Sequence, residues 1–159
     1  QTCALSDLGT ILTTGSTLSA ANLPTGTVVQ VVSGQLYSNR VTISSSTFTP
    51  VGSGLSITPT SSTNKILVIV CYSVNIQHEC SIGRGANYNL SGYTHGLLTY
   101  SGAVWGNESF FYYDSPASTS SQTYYLTARG YSGSTSSVYF SDFSADGPMG
   151  YMTLMEIKA

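Results

Sequence analysis

His78, Glu79 and Cys80 are three adjacent residues whose types could together bind a metal ion. In a strand, side chains alternate between faces, so His78 and Cys80 would share one face and Glu79 would point away. With Cys71 or His95 nearby, this triplet could contribute to a zinc site. The paired short spacings that make zinc signatures specific are missing. The sequence therefore favours a polar strand end and predicts neither a metal nor another cofactor.

Patterns that mark catalytic nucleophiles or catalytic carboxylate pairs do not occur in the sequence. Residues 130–134 (GYSGS) depart from the G-x-S-x-G nucleophile elbow because the final glycine is displaced. None of the seven carboxylates stands in the context of a glycosidase pair. Asp142 and Asp146 could share a calcium ion, but their spacing does not match an EF-hand loop. We therefore expect a protein without enzymatic activity.

The best candidate for a binding surface is the Gly-, Asn- and Tyr-rich stretch of residues 83–106. Aromatic faces beside Asn and Arg donors suit the rings and hydroxyls of sugars, so a surface glycan is the expected ligand. The alternative is that these tyrosines pack the loop itself or a subunit interface. The candidate ligand-binding residues are Arg84, Asn87, Tyr88, Asn89, Tyr93, His95, Tyr100 and Trp105.

From residue 23 onward, short runs of β-branched and aromatic residues alternate with Gly, Pro, Asn and Ser turn signals. No helical period is sustained across these runs. The pattern is typical of an all-β fold, and we expect an antiparallel β-sandwich that is jelly-roll-like. Strands are predicted over residues 27–32, 66–76, 108–113, 122–129, 138–143 and 150–157, and within residues 40–49 and 54–58.

The most apolar of these strands, residues 66–76, is predicted to lie at the centre of a sheet. Its alternating side chains would be buried on both faces at its start and on one face at its end. Cys71 is then expected to be a small buried hydrophobe. The alternative is a disulfide between Cys71 and Cys80, which would indicate an oxidising compartment.

The composition restricts the partners of the chain. Charged residues make up 8% of it, against a usual share of about 25%, and the net charge is −2. The few basic residues are scattered, which argues against nucleic acid or an anionic membrane as a partner. The apolar runs fall far short of the ~20 residues of a membrane helix, so no membrane insertion is expected.

The low charge also bears on assembly and organisation. Exposed sheet edges are usually protected by charges, and a chain with so few of them is expected to cover its edges in a homo-oligomer. Residues 1–22 are expected to be an N-terminal arm or linker, and residues 23–159 the β-sandwich domain. Because methionine is not normally trimmed before glutamine, Gln1 is expected to follow a cut in a longer chain or a removed signal peptide.

Four segments resemble a known family in their order and spacing. They are LPTGTVVQVV (residues 23–32), TPTSSTNKILVIVCYSVN (58–75), FFYYDSPASTSSQTYYLTARGYSG (110–133) and YMTLMEIKA (151–159). Together they resemble the C-terminal domain of tail-fibre-like structural proteins of phages, cyanophages especially. Residues 83–106 follow no pattern of that family.

The resemblance implies a structural protein located in the virion, trimeric, in a tail fibre or appendage that attaches to a host surface. Other virion proteins would then be partners beside further copies of this chain. Two alternatives stay open at this stage. One is a capsid decoration or cement protein whose arm, residues 1–22, clamps neighbouring subunits. The other is a secreted carbohydrate-binding or surface-filament module, which would carry the disulfide between Cys71 and Cys80.

Overall fold

The fold is antiparallel and all-β. A computed structural model describes residues 22–37, 40–75, 77–100, 106–134, 137–140 and 150–159, and these contain no α-helix. The strands in this part of the chain are β1 (Val28–Tyr37), β2 (Val41–Ile43), β3 (Thr49–Pro50), β4 (Leu55–Ile57), β5 (Lys65–Asn75), β6 (His78–Arg84), β7 (Leu98–Tyr100), β8 (Gly106–Asp114), β9 (Gln122–Gly130), β10 (Val138–Phe140) and β11 (Gly150–Ile157).

The strands form two sheets. A six-stranded sheet has the order β1-β11-β5-β10-β2, and β8 also pairs with β5. A five-stranded sheet has the order β3-β9-β6-β7, and β4 also pairs with β9. Some consecutive strands, such as β5 and β6 or β8 and β9, belong to different sheets, whereas others, such as β6 and β7, lie in the same sheet. Every pairing within the sheets is antiparallel, as the sequence predicted.

Strand β5 is central, as predicted. It pairs with β11 along one edge and with β8 along the other. Every second side chain, from Ile66 to Val74, is at most 2% exposed, because this face lies in the core. The prediction that the start of the strand is buried on both faces is wrong. On the second face Leu67 and Ile69 are half-buried, and Cys71 is exposed rather than a buried hydrophobe, because no described segment packs over it.

Side chains from both sheets meet in one buried cluster. Val68 and Leu154 come from the six-stranded sheet, and Ile82 and Leu126 from the five-stranded sheet. Burying each large aliphatic side chain contributes roughly 1.5–3 kcal/mol. At one end of the cluster the ring of Tyr72 lies between Phe140, with centroids 5.6 Å apart, and His78, at 6.0 Å. The core thus fixes which face of each sheet is left to meet solvent or partners.

Most predicted strand boundaries agree with the structure, with differences at β1 to β3. Strands β6 and β7 are not among the predicted strands, and they form because β9 pairs with residues 78–84 and β7 pairs with the start of β6. Strand β1 continues to Tyr37, beyond the predicted end at residue 32, because Gly34 keeps its place opposite Met152 of β11. A Cβ at Gly34 would lie 2.9 Å from Leu55, so glycine here permits close packing rather than ending the strand. Residues 40–49 contribute two short strands, and β3 includes Pro50. The predicted arm, except Asn22, and residues 141–143 of the strand predicted over 138–143 lie outside the described residues.

Candidate functional site

Strand β6 begins with His78, Glu79 and Cys80, the three residues considered for a metal site. It lies between β9 and β7 in the five-stranded sheet. The predicted alternation is confirmed: His78 contacts the core ring of Tyr72, Cys80 belongs to the core cluster, and Glu79 points to the opposite side. The prediction of a polar strand end is wrong, because all three residues are fully buried. Glu79 is covered by loops that pack on the outer side of β6.

Both carboxylate oxygens of Glu79 accept hydrogen bonds. Oε1 accepts from His95 Nδ1 at 2.6 Å and from the backbone N–H of Ser132 at 2.9 Å. Oε2 accepts from Arg129 Nε at 2.6 Å. Burial by itself would raise the pKa of Glu79, but these donors and the charge of Arg129 outweigh it, and the pKa lies below its usual value of 4.5. Glu79 is therefore ionised at neutral pH.

Arg129 extends this contact to two further loops. Its Nη2 donates to the carbonyl of Thr94, and its Nη1 donates to the carbonyl of Ser46 at 3.4 Å. The guanidinium also lies 4.8 Å from the ring centroid of Phe48. The pair of Glu79 and Arg129 consequently joins β6 and β9 to the loop before β7 and to the loop between β2 and β3.

Hydrogen bonds occupy three of the roughly four lone-pair sites of the Glu79 carboxylate. Among the described residues, no group of three or more His, Cys, Asp or Glu side chains is placed to hold a metal ion. Cys71 and Cys80 are both free thiols. Cys80 lies in the core, where burial raises the pKa of its thiol to about 12, while Cys71 is on the outer side of β5. The alternative of a disulfide between them does not occur in the structure.

The loop of residues 85–97 follows β6 and packs back onto the strand. Two backbone hydrogen bonds hold it at its middle and at its C-terminal end, from Leu90 N–H to the carbonyl of Ile82 and from Leu97 N–H to the carbonyl of Cys80, both 2.8 Å. Inside the loop, Asn89 Oδ1 accepts from the hydroxyl of Ser81 at 2.7 Å. Asn89 Nδ2 donates to the carbonyl of Tyr93 at 2.8 Å. The side chain of Asn89 is thus used to shape the loop.

The candidate residues that face solvent lie along the same loop. Tyr93 is 69% exposed and Tyr88 is 39% exposed, and Asn87 is exposed as well. The ring of Tyr88 meets that of Tyr125 edge to face, with centroids 6.2 Å apart. The side chain of His95 is 60% exposed although its Nδ1 is bound to Glu79. The loop therefore presents aromatic rings and polar groups together on an anchored backbone.

Arg84 forms an ion pair beneath this surface. Its Nη1 forms an ion pair with Asp114 Oδ2, which also accepts a hydrogen bond from the hydroxyl of Tyr124 at 2.7 Å. Burial, with the hydrogen bond to Asp114, raises the pKa of Tyr124 well above its usual value. Arg84 thus links β6 to the end of β8. Of the remaining candidates, Tyr100 ends β7 and Trp105 lies outside the described residues.

A second buried carboxylate, Glu156, was missed by the sequence analysis. Its Oε1 accepts from the Thr60 N–H at 2.7 Å and from Asn64 Nδ2 at 2.6 Å, and its Oε2 accepts from Gln30 Nε2 at 2.6 Å. Burial opposes ionisation, but these donors keep the pKa of Glu156 below its usual value. One signal was present: Glu156 alternates in step with Met152 and Leu154, which are buried.

Comparisons with known proteins give no family for this chain. A scan of the sequence against models of protein families finds none that matches, and a search of curated proteins finds none similar to it. In the described residues, no helix has the length and apolar character needed to cross a membrane.

Proposed function

We propose that this chain is a structural module of a phage virion, located in a tail fibre or appendage, which attaches to the host surface. The observation that carries the proposal is the loop of residues 85–97. It exposes tyrosine rings beside polar side chains, and it is fastened to a β-sheet by a buried ion pair. Binding residues are commonly carried on loops that a rigid scaffold positions. Few charges and many hydroxyl groups fit a protein that packs among other virion proteins.

The finer fold that we infer is a β-sandwich of the jelly-roll type. Strand orders β1-β11-β5-β8 and β3/β4-β9-β6-β7 support it, since the chain crosses repeatedly between the sheets: β5 and β8 lie in one, and β6, β7 and β9 lie in the other. The shared core cluster also supports it. Two nested Greek keys wind in this way.

The four segments that resemble phage fibre proteins supply the buried contacts of this frame. Asp114 binds Arg84, Arg129 binds Glu79, and Glu156 binds Asn64. Asp114, Arg129 and Glu156 of these segments therefore hold sheets and turns together. The four segments that carry the resemblance lie mainly in the strands and turns of the two sheets. The loop that we propose for binding lies outside these segments.

A surface glycan is the ligand that this loop fits best. The faces of Tyr88 and Tyr93 could stack on sugar rings, and the exposed Asn87 and His95 could hydrogen-bond to hydroxyls. Tyr100 and Trp105 stay part of the predicted set. Arg84 and Asn89 act mainly by holding the loop, since their side chains are bound to Asp114, Ser81 and the backbone.

Locating the chain on the intact particle tests the virion role. An antibody against the chain, imaged by electron microscopy, should label the tail or projecting fibres. Label spread evenly over the capsid would contradict the attachment role and favour a decoration or cement protein. Absence from the particle would contradict both, and would leave a secreted module, for which the free thiols of Cys71 and Cys80 give no support.

Substitution of Tyr93 by alanine tests the loop. Because the ring is 69% exposed and supports no described core contact, Tyr93→Ala should leave the melting temperature nearly unchanged. Binding of the fluorescently labelled protein to host cells should weaken about tenfold. Tyr131→Ala is the matched control, because Tyr131 is also exposed but lies outside residues 83–106. Equal binding by the Tyr93 and Tyr131 variants and the unaltered protein would remove the loop from the proposed function.

A further inference from the structure

The six-stranded sheet presents a face directed away from the core, which we call the outer face. It consists of three rows of side chains that lie side by side across β1, β11, β5 and β8. The rows are Gln35, Tyr151, Cys71 and Ser109; Ser33, Thr153, Ile69 and Phe111; and Val31, Met155, Leu67 and Tyr113. The last row is apolar or aromatic at every position, and the other two add hydroxyl, amide and thiol groups.

Large apolar side chains on the outer face are open to solvent. Phe111 is 71% exposed, the highest value among the large hydrophobic residues that the structure describes. Val31, Tyr113 and Tyr151 are each 53% exposed. These values show that no described segment covers the face at these four positions. An apolar surface of this kind, shared by four adjacent strands, is typical of a site of protein contact.

We propose that the outer face of the six-stranded sheet is the surface through which copies of this chain pack against one another. This inference rests on the proposed function as a virion structural module and on the homo-oligomer that the low charge of the sequence predicts, and it names the surface responsible. It concerns the side of the molecule that is formed by the six-stranded sheet, whereas the proposed ligand loop covers the outer side of the five-stranded sheet.

The absence of charged residues from the outer face favours a second copy as its partner. None of its twelve positions is a charged residue. When a surface meets its own copy, any charge would meet a like charge or lose its water, and either costs free energy. An uncharged surface avoids both penalties. A strongly acidic or basic partner, in contrast, would find no opposite charge on it.

The chemistry and size of the face also suit an interface between copies. Tyr and Phe are enriched at the centres of protein interfaces, and Phe111, Tyr113 and Tyr151 supply three such rings. With strands about 4.8 Å apart and residues about 3.3 Å apart, four strands and three rows cover roughly 400 Å². This is about half of the ~800 Å² that each partner buries in a standard interface. The outer face would thus form the apolar centre, with surrounding residues as its rim.

The first experiment compares two matched substitutions by light scattering. Phe111→Glu places a charge in the middle row of the outer face, on β8. Tyr93→Glu places one at a similarly exposed aromatic residue, 69% against 71%, on the other side of the molecule. The unaltered protein and Tyr93→Glu should give a mass two or three times the 16.8 kDa of one chain. Phe111→Glu should raise the dissociation constant at least about 30-fold, which is the loss expected for an interface hot spot.

The outcomes separate the surface from the self-association itself. If the unaltered protein is a monomer, both the surface and the proposed oligomer are wrong. If it is an oligomer and Phe111→Glu assembles as tightly, the oligomer stands and the outer face is not its interface. Cooperative thermal unfolding of Phe111→Glu should show that the monomer is folded.

Thiol labelling decides the question even if Phe111→Glu does not fold. In a Cys3→Ser background, Cys71 is on the outer face and Cys80 is buried. The control is Thr119→Cys in a Cys71→Ser variant, since Thr119 is exposed. In the oligomer, Cys71 should react with a maleimide at least about tenfold more slowly than the control cysteine, because Cys71 is accessible only after the copies dissociate. Equal rates would overturn the proposal. Protection of Cys71 in a monomeric protein would also overturn it, since another part of the same chain would then cover the face.

Discussion

At the scale of single residues, two buried carboxylates hold the polar structure of this protein together. Glu79 binds Arg129 and His95 beneath the loop of residues 85–97, and Glu156 binds the turn that leads into β5. A buried carboxylate is stabilising only when donors satisfy its oxygens, and both residues meet this condition. They fix loops and turns to the sheets through hydrogen bonds and ion pairs.

The lowered pKa of Glu79 has a consequence for stability in acid. A carboxylate whose pKa is lower in the folded chain stabilises that chain above its unfolded pKa, and this stabilisation is lost as pH falls through the folded pKa. The free energy of unfolding should therefore fall as pH decreases below about 4.5. Glu79→Gln should lower it by about 3 kcal/mol at neutral pH, because Arg129 loses its buried partner.

Chemical denaturation at several pH values measures this effect. Glu79→Gln should show a weaker dependence of unfolding free energy on pH below 4.5 than the unaltered protein does. Glu108→Gln is the control, because Glu108 is half-buried in β8 and forms no ion pair with a described residue. A Glu79→Gln variant with unaltered stability at neutral pH would contradict the structural role of this carboxylate.

At the scale of elements, β5 has two faces with different functions. Its even-numbered side chains from Ile66 to Val74 fill the core, and its odd-numbered ones belong to the outer face of the six-stranded sheet. The sequence resembles a strand buried on both sides because both sets are apolar. In the structure only the even-numbered set lies in the core. The odd-numbered set, Leu67, Ile69 and Cys71, lies on the outer face, which we propose is covered by another copy.

Two neighbouring substitutions in β5 should distinguish these faces. Val68→Thr places a hydroxyl in the core without a partner and should lower the free energy of unfolding by about 1–3 kcal/mol. Ile69→Thr changes the half-buried outer side and should cost less than about 1 kcal/mol. Urea denaturation of both variants under monomeric conditions provides the measurement. A larger loss for Ile69→Thr would mean that the outer face belongs to the core of the monomer.

At the scale of the whole molecule, the separation of the two sheets decides the chemistry of the cysteines. Cys71 lies outside the six-stranded sheet, whereas Cys80 lies in the core that both sheets share. Their thiols point into different environments, although the residues are only nine positions apart in the sequence. The molecule therefore depends on packing and buried ion pairs between its elements, with no bridge between these two residues.

Mass spectrometry of peptides from protein exposed to a mild oxidant tests this arrangement. No bridge between Cys71 and Cys80 should form in the native protein, and Cys80 should react with a maleimide only after unfolding, because its thiol is fully buried. A control sample unfolded before oxidation should form the bridge, since both thiols are then accessible. A bridged peptide from native protein would contradict the positions of the two residues.

The loop of residues 85–97 shows how far a candidate site could be predicted. Tyr88, Tyr93 and Asn87 were chosen for their types, and the structure exposes them. Arg84 and Asn89 were chosen for the same reason, but their side chains are bound to Asp114 and Ser81. The sequence shows which side chains can donate or accept hydrogen bonds. It does not show which of them are already bound within the protein, because that depends on how the chain folds.

The sequence by itself determined the class of fold and the alternation along its main strands. An apolar period of two is a local property, so β5, β8, β9 and β11 could be placed within a few residues. Only the tertiary structure decided which side of β5 enters the core, and that Glu79 and Glu156 are buried. The physical reason is that burial depends on what packs over a strand, and the covering loops and paired strands come from remote parts of the chain.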